Sequence, residues 1–166
     1  MSLETFTLVH VVISLIGIAT GIVVLAGMLQ AKRLDRLTAV FVSTTVLTSV
    51  TGFMFPFKGV TPGMVVGGIS MVVLAIAIAA RYGLHLASAW RAIYVITAGL
   101  ALYLNCFVLV VQSFEKIAAL HALAPTGKEA PFAVAQLLVL GVIGVLTTLA
   151  VKKFHPEGNA QQAKAA

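Results

Sequence analysis

Charge is scarce in this chain. Aspartate and glutamate together number five among 166 residues, and charged residues of either sign make up 10%. A water-soluble core of this size needs a far more charged surface. Cysteine is nearly absent as well. Cys106 stands alone, which excludes an intramolecular disulfide and a Cys-x-x-Cys metal or redox pair. No nucleophile–base constellation is present, and no glycine-rich phosphate loop follows a strand-like run. These absences lean the reading away from an enzyme.

What remains is apolar. Hydrophobic residues make up 60% of the chain and its mean hydropathy is +1.08. Five continuous apolar segments stand out, at residues 6–29, 37–57, 62–80, 92–111 and 132–151. Each comes close to the roughly 20 residues that a helix needs to cross a bilayer. Strands of a membrane barrel would alternate apolar and polar residues over about half that length. The expected fold is therefore all-α: a bundle of five transmembrane helices forming one membrane domain over residues 1–154. The polar, Ala- and Gln-rich residues 155–166 are expected to form a disordered tail. The first segment reads as a retained helix rather than a secretory signal. Its leading residues carry Glu4 and no cation, while Lys32, Arg33 and Arg36 follow the apolar run.

The loop charges are asymmetric. Lys32, Arg33, Arg36, Arg81, Arg91, Lys152, Lys153 and Lys164 fall on one side. Lys58, Lys116 and Lys128 fall on the other, balanced by Glu4, Glu115 and Glu129. The positive-inside rule then puts the N-terminus outside and the C-terminus in the cytoplasm. The net charge of +6 needs no nucleic-acid partner, because the basic residues sit beside span ends where they anchor to anionic lipid heads. Trp90, Tyr82 and Tyr94 are expected as interface anchors at the inner ends of the third and fourth spans, and Phe53, Phe55 and Phe57 crowd the outer end of the second.

The connectors are short. Residues 58–61 form an outer turn between Pro56 and Pro62, and residues 81–91 read as an inner connector that stays helical. Residues 113–131 suggest a short interfacial helix followed by a turn. Small residues line up on helix faces: Ser14, Gly17 and Gly21; Gly63, Gly67 and Ser70; Gly141, Gly144 and Thr148. In lipid such faces let backbones approach, within the bundle or across a homo-oligomer.

No Asp, Glu, Lys or Arg falls in the middle of a span, which argues against proton pumps and ion-coupled carriers. Neutral polar residues remain. His10, Thr48, Thr51, Asn105, Gln112 and Gln136 come from four helices and share the outer half by depth, with Ser14, Thr44, Thr45 and Ser49 nearby. Two readings stand: a hydrogen-bond network that fixes register, or an outward-facing pocket through which a small non-enzymatic membrane protein binds or passes a small solute or lipid. His10 is the candidate of greatest interest, since it alone titrates near neutral pH. Haem is an alternative cofactor, because His10 and His121 fall at similar depth and a b-type haem wants two facing histidines. No two histidines have metal-ligand spacing. A third reading is a structural or accessory subunit of a membrane complex.

Four stretches carry a resemblance: Leu8-Val-His-Val-Val-Ile-Ser14, Thr51-Gly-Phe-Met-Phe-Pro-Phe57, Leu102-Tyr-Leu-Asn105 and Leu120-His-Ala-Leu-Ala-Pro125. They resemble a group of small, uncharacterised bacterial integral membrane proteins. The resemblance implies a bacterial inner-membrane location and brings no activity, cofactor or site residue.

Overall fold

A computed structural model of the chain describes residues 2–56, 59 and 62–156. Every regular element among the described residues is helical. In chain order they are α1 (Leu3–Leu29), α2 (Asp35–Phe53), α3 (Pro62–Ile78), a π-helical turn (Ala79–Gly83), α4 (Ala89–Lys116), the short α5 (Ala118–Leu123) and α6 (Ala130–Lys153). Five helices are long and apolar enough to cross a membrane: α1, α2, α3 continued by its π turn, α4 and α6. Local chemistry sets their ends. The Ser2 hydroxyl accepts the Thr5 N–H at 3.2 Å and caps α1. Glu129 closes the turn before α6, where its carboxylate accepts from the N–H groups of Thr126 (3.1 Å) and Lys128 (3.0 Å). Lys152 and Lys153 occupy the last turn of α6, where the helix dipole favours cations.

α1 packs on α2 and α4, and α3 packs on the same two helices. These four therefore close a ring with α1 opposite α3. α6 lies outside the ring against α4 and α1. Close approach of the helices depends on glycine, which has no side chain to hold backbones apart. A Cβ at Gly21 would meet Leu102 and Phe41 at 2.8 Å, and one at Gly17 would meet the Thr44 hydroxyl at 3.2 Å. Gly99 on α4 leaves room for Thr147 of α6. Gly141 and Gly144 on α6 face open space. The α1 pair thus serves packing inside the bundle.

One end of the ring is closed by a dense core in which Phe41, Leu74, Leu102 and Phe154 are buried. Arg81 joins it at 1% exposure. Its Nη2 donates to Asp35 Oδ1 at 2.5 Å and to the Arg33 carbonyl at 3.1 Å. The guanidinium lies 5.0 Å from the Tyr94 ring centroid and 5.7 Å from that of Tyr82. Nearby, Arg91 Nη1 donates to the carbonyls of Val151 (3.1 Å) and Phe154 (2.7 Å), fastening the end of α6 to α4.

Several expectations need correction here. Residues 81–91 do not continue as α-helix. The wide π turn is followed by His85, Leu86 and Ser88 at φ of 51°, 60° and 50°. This reversal carries the Leu86 N–H to the Ala80 carbonyl at 3.0 Å and buries the Leu86 side chain. Arg81 does not reach for lipid heads, since Asp35 and the Tyr94 ring hold it inside. Tyr94 is no interface anchor: it is fully buried, packed between Arg81 and Phe154. Tyr82 and Trp90 do remain exposed. The second span ends at Phe53 rather than reaching residue 57, and Phe55 turns back to pack on Phe6 at 4.9 Å. The expected turn at 58–61 and the polar tail from 157 onward fall outside the described residues, apart from Gly59. The short helix expected in the 113–131 connector is α5.

The glycine contrast is testable. Gly21→Leu is expected to lower the thermal midpoint of the detergent-solubilised protein, at an overpacking cost of about 1–3 kcal/mol. Gly141→Leu should leave it unchanged, since its Cβ meets nothing within 4 Å. The reverse pattern in thermal melts would contradict the packing described here.

Candidate functional site

The other end of the ring, where α1 begins and α4 ends, is hollow. A cavity of about 530 Å³ lies between α1, α2, α3 and α4. On α4 its wall runs from Leu104 to Lys116, which is about 18 Å at 1.5 Å per residue. Its volume lies in the range of small-molecule sites. Most of the wall is aliphatic, aromatic or glycine, and polar groups enter it at a few points.

The hydroxyls are mostly spent within their own helices. Thr45 donates to the Phe41 carbonyl (2.7 Å), Ser49 to Thr45 (3.1 Å), Ser14 to His10 (2.7 Å) and Ser113 to Leu109 (2.7 Å). This back-bonding is how serine and threonine meet the demands of hydrocarbon without a neighbour. Thr48 breaks the pattern: its Oγ1 is buried and has no hydrogen-bond partner. Asn105 donates one Nδ2 hydrogen to Thr45 Oγ1 at 3.3 Å, joining α4 to α2 beside Gly17. Its Oδ1 makes no hydrogen bond among the described residues.

His10 Nδ1 lies 2.7 Å from Thr51 Oγ1. Thr51 has a single hydroxyl proton and gives it to the Leu47 carbonyl at 2.6 Å. The hydroxyl oxygen therefore accepts from His10, which assigns the proton to Nδ1 and leaves Nε2 as the acceptor of the neutral ring. Phe55 packs edge-on against the imidazole at 5.2 Å. α1 and the end of α2 thus fix the His10 ring from two sides.

Of the six residues that the sequence singled out, His10, Thr48, Asn105 and Gln112 line the cavity. Thr51 does not; it holds His10 in place. Gln112 sits toward the mouth and donates to Glu115 at 3.3 Å. Gln136 is apart from the cluster. It belongs to α6, outside the ring, and donates to the Phe107 carbonyl of α4 at 3.2 Å. Similar depth along the bundle did not mean the same compartment. His121 is exposed on α5, 3.3 Å from the Phe114 carbonyl, and is not part of the wall that carries His10. Among the described residues no three His, Cys, Asp or Glu side chains gather as metal ligands.

Sequence reasoning missed Lys116, Ser70, Gly52 and Phe53 in the wall. Lys116 was findable, because it follows Asn105 and Gln112 at helical spacing of eleven and four residues on one face. The Gly67 face of α3 was read as a packing surface. It does pack, since a Cβ at Gly67 would meet the Phe53 ring at 3.2 Å, and it lines the cavity as well. Comparison with known protein families, with characterised proteins and with solved structures finds no match to this chain.

The His10–Thr51 bond can be isolated by a double-mutant cycle. His10→Ala and Thr51→Val are each expected to cost about 1 kcal/mol of stability. The double variant should lose less than the sum, a coupling of about 0.5 kcal/mol or more in thermal melts. Strict additivity would mean that the two side chains do not act on each other.

Proposed function

We propose that this chain is a multi-pass protein of the bacterial inner membrane that holds a small solute or lipid in the cavity between α1 and α4, without chemically altering it. One observation carries this reading: the cavity is blind. Its wall is exposed at Lys116 and Ile117 and ends in the buried side chains of Ile18, Ser70 and Leu104. Below it, the space between Gly21, Phe41 and Leu102 has no room for a water molecule. A conduit needs a continuous path, whereas a binding site needs an end.

The chemistry of the wall supports holding rather than reaction. His10 and Thr51 look at first like a base and its nucleophile. However, the Thr51 proton is committed to Leu47, and Thr51 does not reach the wall. Activation of a hydroxyl requires its proton to point at the base. With the N-terminus outside, as the charge asymmetry argues, the cavity faces the periplasm and the Arg81 end faces the cytoplasm.

Two experiments test this. The protein purified in mild detergent is expected to retain a small molecule detectable by mass spectrometry of the extract. Gly52→Leu, which places a side chain beside His10, should expel it while the protein stays folded. A ligand retained equally by both forms would place it elsewhere and sink the reading. Orientation is tested in a Cys106→Ser background with a membrane-impermeant maleimide. Cysteine at position 4 should label in intact spheroplasts, and cysteine at position 153 only after permeabilisation.

A further inference from the structure

Deepening the binding reading above, on which it rests, we infer that the cavity takes a single-chain amphiphile with an anionic head at Lys116 and a hydrogen-bonding group partway along its chain. Charge is the first argument. Among the described residues the titratable side chains in the wall are His10 and Lys116, both basic, and no carboxylate lines it. Glu115 is close by, but lies outside the wall with its carboxylate on the Gln112 amide. Glu4, on the first turn of α1, also lies outside the wall. Lys116 itself makes no hydrogen bond or ion pair among the described residues. A cationic ligand would lose its hydration here and find no counter-charge, whereas an anion finds one at the mouth.

Shape is the second argument. Beneath the mouth, Val11, Leu15, Val66 and Val108 line the wall with hydrocarbon. A compact inorganic anion would leave that surface empty. A chain fills it, and the depth of about 18 Å suits a long one. The third argument is the Asn105 amide in the wall: its Nδ2 donates to Thr45, and its Oδ1 accepts no hydrogen bond among the described residues. The His10 ring lines the same cavity and keeps Nε2 as an acceptor. A ligand hydroxyl at that level has an acceptor to donate to.

The test uses the full chain in phosphatidylcholine nanodiscs, with cis-parinarate as a fluorescent carboxylate probe and empty nanodiscs as the blank. Displacement is measured with oleate, ricinoleate (its hydroxylated counterpart), oleyl alcohol and oleylamine. Ricinoleate is expected to displace best, followed by oleate, with the alcohol and the amine weaker by about fivefold or more. Lys116→Gln should erase the preference for the carboxylates over the alcohol. Asn105→Leu should erase the advantage of ricinoleate over oleate. If the alcohol or amine competes as well as oleate, or Lys116→Gln leaves the preference intact, the anionic assignment is overturned. In that outcome, binding that still disappears in Gly52→Leu keeps the cavity itself as a site. If none of the four displaces the probe and Gly52→Leu changes nothing, both the ligand class and the cavity reading fall.

Discussion

The buried guanidinium of Arg81 sets the character of this bundle. Taking an arginine out of water costs several kcal/mol, about as much as many whole domains can spare. It is tolerated because Asp35, the Arg33 carbonyl and the Tyr94 ring converge on it from α2, its flanking loop and α4. Three of the four ring helices are thereby drawn together at one end. The core there follows from this convergence: aromatic and aliphatic side chains fill what the charge has pulled close. Among the described residues nothing comparable acts at the opposite end, where the polar side chains are neutral or lie toward Lys116. The hollow and the closed core are two results of one uneven distribution of charge.

The hydroxyl-bearing residues show how network and pocket coexist. Thr44, Thr45, Ser49 and Thr51 all return a hydrogen bond to their own helix, so α2 presents many polar residues and yet few unmet polar groups. The network reading fits these residues. The pocket reading fits Thr48, the carbonyl of Asn105 and Nε2 of His10, which keep hydrogen-bonding capacity inside the bundle. Residue type alone could not separate the two groups, because a threonine that back-bonds and one that does not look identical in sequence.

Five helices long and apolar enough to cross a membrane were legible from apolar run length, and the described helices overlap all five runs. Cavity membership was partly legible, because helical spacing places Asn105, Gln112 and Lys116 on one face whatever the rest of the fold does. What the sequence hid was lateral arrangement. Gln136 has the right depth and polarity, and only the placement of α6 outside the ring removes it from the cavity. Arg81 and Tyr94 were hidden for a related reason. A basic or aromatic residue at a span end reads as a lipid anchor unless a π turn and a reversed connector swing it inward.

The position of α6 also bears on the order in which the molecule takes shape. A ribosome delivers α1 to α4 before α6, and these four supply every residue of the cavity wall except Phe55, just past α2, and Ile117, which follows α4. The wall is thus complete in outline while the last long apolar helix is still being made. α6 then arrives as a buttress, laid against α1 and α4 and pinned through Arg91 at its far end.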